Sequence, residues 1–367
     1  MKIVLTGGGT GGHLVPLIAV ARKIKEKNPE AEFLFIGPNG ELEKKIMSAE
    51  GIPMKSVIAG KMRRYVSALN FLDGFKIPLG IVQALWHLLV NMPDAIFSKG
   101  GYASFPVVVA GWIYRIPILI HESDAKPGLA NSILAKLSNR VAVSYPEAES
   151  NFPADQVVLT GNPLRADIAK GSPEKARVFF GITNSKKTVF IWGGSQGSEI
   201  INEKIVEILP ELVKKYNIIH QTGEKNFETT KKMAGVMGIK AGREGYYPVS
   251  FFGEELKDVL ALSDLIISRA GGNSISEIAA NAKPAIIIPI ENSSNNHQRM
   301  NAYSIAKIGG CEVLEEGNLG ENMLLGIIEK IINDENLKDK LSSNIKSFYH
   351  PDAAERIAEG VLGITND

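Results

Sequence analysis

The sequence predicts an α/β chain of two Rossmann-like, doubly wound parallel-sheet domains facing each other across a cleft. Three observations predict it. Short apolar strands alternate with helical stretches almost throughout. The alternation restarts near Lys187. Glycine-rich turns follow several strands where a helix begins. At 367 residues, 44% apolar and 22% charged, the chain is long enough for two cores and too apolar for wholesale disorder.

Taken in order, Lys2–Thr6, Glu32–Ile36, Ala95–Ser98, Ile118–His121, Arg140–Val143 and Gln156–Leu159 read as strands. Val15–Lys27, Leu42–Glu50 and Phe105–Tyr114 carry helical spacing between them. In the second half, Thr188–Trp192, Ile218–Gln221, Val249–Phe252, Leu265–Ser268 and Ala285–Pro289 read as strands. Gly161–Ser172, rich in Gly, Asn and Pro, is the expected linker, giving domains of 1–163 and 164–349. A last helix near Asp352–Leu362, within 350–367, is left open between the two domains. A faint internal echo pairs Ser98-Lys99-Gly100-Gly101 with Ser268-Arg269-Ala270-Gly271-Gly272, each at a strand-to-helix turn; any βαβ unit produces something similar.

One cysteine, Cys311, excludes an intramolecular disulfide framework. No signal peptide is evident, and no run reaches the ~20 apolar residues of a membrane span. Ile77–Met92 comes nearest and is interrupted by Pro78, Gly80, Gln83, His87 and Asn91. A cytoplasmic protein is the expectation. Residues 1–165 carry 18 Lys/Arg against 13 Asp/Glu, whereas the remainder carries 23 against 27. A basic first half suits an anionic partner, either lipid headgroups or nucleic acid.

Gly7-Gly8-Gly9-Thr10-Gly11-Gly12-His13 follows the first strand and satisfies G-x-G-x-x-G. Such a turn brings backbone N–H groups and a helix N-terminus, roughly half a positive charge, against an anionic ligand. A dinucleotide is disfavoured: the second strand ends Phe35-Ile36-Gly37-Pro38-Asn39, without the carboxylate that holds a ribose. No G-K-[ST] follows, so an ATP-binding loop is unsupported. Gly193-Gly194-Ser195-Gln196-Gly197-Ser198 and Arg269–Glu277 are two further turns of this kind. In the last, a helix beginning near Asn273 offers amides to a diphosphate and Glu277 an acceptor for a ribose diol.

With these turns in order, the sequence resembles the MurG family, the undecaprenyl-diphospho-muramoylpentapeptide N-acetylglucosaminyltransferases of bacterial peptidoglycan synthesis. The carrying motifs are Gly8–His13, Gly100-Gly101-Tyr102, His121-Glu122-Ser123-Asp124, Pro127–Asn131, Gly161–Arg165, Gly193–Gly197, Arg269–Glu277, His297-Gln298 and Asn301-Ala302. The resemblance implies a GT-B fold and transfer of N-acetylglucosamine from UDP-N-acetylglucosamine to the lipid-linked muramoyl-pentapeptide with inversion, giving a β-1,4 linkage. It implies Thr10, Gly11, Gly12, Asp124, Arg165, Ser195, Gly253, Gly272, Asn273, Ser274, Ile275, Ser276, Glu277 and Gln298 as donor-binding residues. Tyr102, His121 and Asn131 fall on the acceptor side. It implies no cofactor, no metal, no nucleic acid, and work at the cytoplasmic face of an anionic membrane. The chain departs from the family pattern at Asp124, often Asn, at Gly272-Asn273, often Ala-Leu, and at Asn292–Asn296, often charged.

No D-x-D is present and the six histidines lack ligand spacing, so helix N-termini and Arg165 are expected to receive the leaving diphosphate. His13 is the first choice of base, kept neutral by its helix N-terminus, with Glu122, His121 and Asp124 as rivals. Lys61, Arg63, Arg64 and Lys76, interleaved with Phe71, Leu72, Phe75, Ile77, Ile81, Leu85 and Trp86, describe an interfacial segment. Much of Ile81–Val90 is expected in the core and Phe71–Ile77 exposed. Alternatives are a relative acting on another acceptor, such as diacylglycerol, and a UDP-N-acetylglucosamine 2-epimerase. From other classes come a nicotinamide oxidoreductase and a non-catalytic membrane adaptor.

Overall fold

The computed structural model describes residues 1–9, 11–60, 68–194, 196–291 and 293–365, with the backbone alone at 68–75 and at Ser294. Thr10, Ser195, Lys61, Arg63, Arg64, Asn292 and the side chains of Phe71, Leu72 and Phe75 therefore lie outside the described residues. The chain divides into two compact units, Met1–Arg165 with His350–Asp367, and Ala166–Tyr349.

The first unit contains β1 (Lys2–Thr6), α1 (Gly11–Lys27), β2 (Glu32–Gly37), α2 (Glu41–Ala49), β3 (Met54–Ser56), α3 (Ala68–Asn91), β4 (Ala95–Ser98), α4 (Phe105–Ile113), β5 (Ile118–Glu122), α5 (Leu129–Leu134), β6 (Arg140–Val143), α6 (Pro146–Glu149) and β7 (Val157–Leu159). The strands form one parallel sheet in the order β3-β2-β1-β4-β5-β6-β7. Central strands such as β1 and β4 are buried on both faces, which is why they read as unbroken apolar runs. Ile3, Leu5, Leu17, Ile24 and Phe97 fill one side of the sheet and Val4, Ile96, Val107 and Ile120 the other.

The second unit contains α7 (Pro173–Phe180), β8 (Thr188–Trp192), α8 (Glu199–Lys215), β9 (Asn217–Gln221), α9 (Phe227–Val236), β10 (Tyr246–Val249), α10 (Leu256–Leu262), β11 (Leu265–Ser268), α11 (Gly272–Ala280), β12 (Ala285–Ile287), α12 (His297–Lys307), β13 (Glu312–Val313), α13 (Glu321–Asn333) and α14 (Glu335–Lys346). Its parallel sheet runs β10-β9-β8-β11-β12-β13. The chain closes with α15 (Ala353–Gly363), which joins the first unit: Ile357, Ala358 and Val361 enter the core beside Leu5 and Leu119. Lys27 meets Glu355 and Glu359 at 2.8 Å each.

In both sheets the chain winds one way, returns to the middle and winds the other. Neighbouring strands β1 and β4, and likewise β8 and β11, send their following helices to opposite faces. The crevice at such a switch point is where doubly wound sheets bind ligands.

Three local readings differ from the sequence-based expectation. Edge strands β3 and β13 were not anticipated; Met54-Lys55-Ser56 and Glu312-Val313 are too short and too polar to read as strands. β10 lies at Tyr246–Val249 rather than Val249–Phe252, because Tyr246 pairs with Ile218 and Pro248 is tolerated on an edge. In α3 the stretch Ile81–Val90 is not core: Ala84 and Leu88 are buried, whereas Val82, Trp86, Leu89 and Val90 are exposed.

His220 on β9 ties this unit's core together. Its Nε2–H donates to Asn202 Oδ1 at 3.0 Å, and Nδ1 accepts from the Tyr246 hydroxyl at 3.2 Å. Burial pushes the imidazole from 6.5 down to about 3. The unfolded chain therefore binds the extra proton first as pH falls. The contribution is complete above about pH 6.5 and is lost towards pH 3, on the order of 5 kcal/mol in all. His220→Gln is expected to be less stable than the parent at pH 7, with the gap closing by pH 4. Urea midpoints across that range check it, and a gap of constant size refutes it.

Candidate active site

The turn after β1 adopts backbone that only glycine enters easily, with φ of +131° at Gly8 and +90° at Gly9. A Cβ at Gly8 would lie 2.9 Å from Pro38, and one at Gly9 would lie 3.2 Å from the Tyr102 hydroxyl. The Gly9 amide donates to Glu43 Oε1 at 2.8 Å, so a buried carboxylate from α2 holds the turn open. Gly11 and Gly12 open α1, at the end carrying its positive dipole. His13, half-buried on the first turn of α1, lies 2.7 Å from the Gly8 carbonyl through Nδ1. A carbonyl only accepts, so Nδ1 carries the proton and the neutral ring keeps its lone pair on Nε2.

Across the switch point, β4 runs into Lys99, Gly100 and Gly101, both glycines with φ near +80°. Gly101 lies against His13: a Cβ there would be 3.0 Å from His13 Cε1. Gly100 faces Asn131, whose Oδ1 would be 1.8 Å from an added Cβ. β5 ends in His121 and Glu122. Glu122 Oε1 accepts from the Asp124 amide at 3.0 Å, while Oε2 accepts from Asn131 Nδ2 at 2.9 Å and the Gly128 amide at 3.2 Å. This carboxylate shapes the whole segment 122–131. His121 is fully buried, with Nε2 at 3.2 Å from Ser144 Oγ and 3.1 Å from the Gly161 carbonyl. It faces inward, so no direct acceptor contact is open to its side chain.

The charges here are coupled. Burial drives Lys99 below its ordinary value, opposed by Glu122 and Asp124. Burial and the adjacent Asp124 raise Glu122. Burial, with help from Lys99, lowers His13, and lowers His121 further. His13, Lys99, Gly101, Glu122 and Asp124 thus form one cluster, with Tyr102 against Gly9 and Asn131 behind it. Glu43 and Lys99 were not singled out from the sequence. A lysine directly before paired glycines at a strand end was the available signal for Lys99; Glu43, on a separate helix, carried none.

In the second unit the turn after β8 has φ of +87° at Gly194 and +76° at Gly197, and ends in Ser198, the N-cap of α8. Gln221, at the end of β9, donates to the Gly194 carbonyl at 2.8 Å and accepts from the Phe252 amide at 3.1 Å, which places Gly253 beside this turn. After β11, Arg269 reaches back and donates to Ser198 Oγ at 2.6 Å. Gly272, Asn273 and Ser274 open α11. Ile275 is fully buried, its amide bonded to the Gly271 carbonyl, and the Ser276 hydroxyl is bonded to the Gly272 carbonyl at 2.7 Å. The Ile275 side chain is therefore turned into the core. Glu277 is largely buried one turn into α11. Gln298 accepts from the Ile290 amide at 3.1 Å, fixing the loop after β12. Arg165 is half-buried at the end of the first unit's long segment. Among the described residues no three His, Cys, Asp or Glu side chains gather as metal ligands.

Glu122→Gln presents one N–H group to N–H donors that now meet a carboxylate oxygen. A stability loss of about 1–3 kcal/mol is expected. A urea midpoint equal to that of the parent chain would count against this reading of the 122–131 segment.

Two family descriptions match the chain: the glycosyltransferase family 28 N-terminal domain over residues 3–143, and its C-terminal domain over 188–357. A Bacillus cereus UDP-N-acetylglucosamine–N-acetylmuramyl-(pentapeptide) pyrophosphoryl-undecaprenol N-acetylglucosamine transferase is 36% identical over 98% of this chain and 99% of its own. The Clostridium perfringens transferase of the same description is 39% identical, over 99% and 96%. Among solved structures, Acinetobacter baumannii MurG aligns with a TM-score of 0.75 at 23% identity over 99% of both chains. A UDP-GlcNAc 2-epimerase from Neisseria meningitidis aligns with 0.71 at 15% identity, covering 99% of this chain and 100% of that one. These two bear on the fold alone. With both domain descriptions matched and identity at this level along nearly the entire chain, the chain belongs to glycosyltransferase family 28, among the N-acetylmuramyl-(pentapeptide) pyrophosphoryl-undecaprenol N-acetylglucosamine transferases.

Proposed function

We propose that this chain transfers N-acetylglucosamine from UDP-N-acetylglucosamine to the 4-hydroxyl of a lipid-linked N-acetylmuramyl-pentapeptide, with inversion. The observation that carries the reading is the near full-length identity to transferases of that one description. In the reaction the acceptor oxygen attacks the anomeric carbon as the bond to UDP breaks. The hydroxyl proton passes to a base, and UDP leaves with the bonding electrons. Fixed amide dipoles aimed at that developing charge are a large catalytic contribution. The N-termini of α8 and α11, with Arg165 and Ser195, are proposed to receive the diphosphate, and Glu277 the ribose. Gly253 and Gln298 are also proposed as donor contacts, as are Thr10, Gly11, Gly12 and Asp124. No metal is assigned a role, so turnover in EDTA is expected to match turnover without it.

His13 Nε2 is the proposed base. Its Nδ1–H is held by the Gly8 carbonyl, and its lowered affinity for protons keeps the ring neutral. Glu122, saturated by three N–H donors, orients the neighbouring segment. Because the neutral ring is the active form, kcat/KM is expected to fall with decreasing pH only below the ordinary imidazole value. Lys99→Met removes a cation that disfavours the imidazolium and is expected to move that limb to higher pH. His13→Ala is expected to lower kcat by about 10²–10⁴. A pH–rate profile unmoved by Lys99→Met would remove His13 from this role.

A membrane surface is the proposed meeting place. Supporting it, α3 and α4 pack together and expose Leu79, Val82, Trp86, Leu89, Val90, Trp112 and Ile113, with Lys76 and Arg115 also at the surface. Scattered apolar residues need no explanation, but a contiguous apolar face with basic neighbours suits an anionic bilayer. Among the described residues no helix is long and apolar enough to cross a membrane. Trp86→Asp with Trp112→Asp is expected to abolish co-sedimentation with anionic vesicles while UDP binding persists. Unchanged sedimentation would reject the surface.

A further inference from the structure

The donor reading leaves one polar node of the second unit unused. The side chains of Arg269 and Glu316 are 9% and 10% exposed and meet at 2.5 Å. Arg269 also donates to Ser198 Oγ at 2.6 Å and to the Ile288 carbonyl at 3.2 Å. The second oxygen of Glu316 accepts from the Glu291 amide at 2.9 Å. Four segments that leave consecutive positions along the sheet edge are thereby joined: Ser198 after β8, Arg269 after β11, Glu291 after β12 and Glu316 after β13.

Ser198 is the N-cap of α8, but its contact to the Ile201 amide is long at 3.4 Å, so the arginine is its tighter hold. Arg269 sits immediately before the turn that opens α11. Arg269 therefore links the two glycine turns: its guanidinium holds the end of one at Ser198, and its backbone leads into the other. A buried arginine stays in place only with a counter-charge; without one it is driven towards water. Glu316 supplies that charge from a remote part of the sequence.

We propose that Glu316 is a positioning residue for the donor pyrophosphate: by holding Arg269 beneath the two turns, it sets the spacing of the α8 and α11 N-termini. The proposal rests on the donor reading above. It assigns no contact between Glu316 and the nucleotide, so the effect is transmitted wholly through Arg269 and Ser198.

Calorimetric titration with UDP alone, without acceptor, separates this from a purely structural role. Glu316→Ala and Glu316→Gln are expected to weaken UDP binding roughly tenfold or more, the scale of one charged hydrogen bond. The double variant Arg269→Met/Glu316→Leu replaces the buried pair by apolar side chains, an exchange that often preserves or raises stability. It is expected to melt no lower than the parent and still bind UDP at least tenfold more weakly. A folded Glu316→Gln, or a folded double variant, that binds UDP like the parent overturns the proposal. Should the single variants fail to fold, the double variant decides alone. Failure of the parent chain to bind UDP would instead sink the donor reading, and this proposal with it.

Discussion

A parallel sheet that winds in two directions must open between two neighbouring strand ends, and the glycine turns of both units follow from that constraint. At β1/β4 and at β8/β11 the following helices depart to opposite faces, so backbone rather than side chains lines the opening. Only residues without a Cβ fit there. A methyl group at Gly8, Gly9, Gly100 or Gly101 would run into Pro38, Tyr102, Asn131 or His13. The glycines are where they are because the sheet's topology leaves them no neighbouring space.

The two openings are stabilised by different electrostatics. In the first unit the groups are titratable and share one buried environment, where burial and neighbouring charges shift Lys99, His13 and Glu122. That suits moving a proton. In the second unit the central pair is a buried arginine matched to a carboxylate, a planar fork that holds shape. That suits holding a diphosphate. The proposed division of labour between acceptor chemistry and donor binding matches the charged residues that each sheet edge buries.

Much of the fold was legible because central strands such as Ile3-Val4-Leu5 and Phe190-Ile191-Trp192 are buried on both faces and read as apolar runs. Edge strands escaped, since Lys55 and Glu312 sit at positions where one side is open, and Pro248 disguised β10. The glycine turns were equally plain, as were His13 and Glu122 as chemical candidates. What local sequence does not carry is distance. That Glu43 bonds to Gly9, or that Glu316 reaches Arg269, depends on tertiary packing of separate elements. The inward rotation of His121 and Ile275 was hidden for the same reason: a motif names residues but not the face they turn to.

The last helix has a consequence for how the chain is made. Ile357, Ala358 and Val361 of α15 complete the layer over Leu5, Leu17 and Leu119, yet they are synthesised after the whole of 166–349. Until they emerge from the ribosome, the N-terminal sheet carries an uncovered greasy face, while the C-terminal unit, continuous in sequence, already has all its parts. The half that begins first is therefore finished last, and nascent chains arrested before α15 are the species most in need of a chaperone.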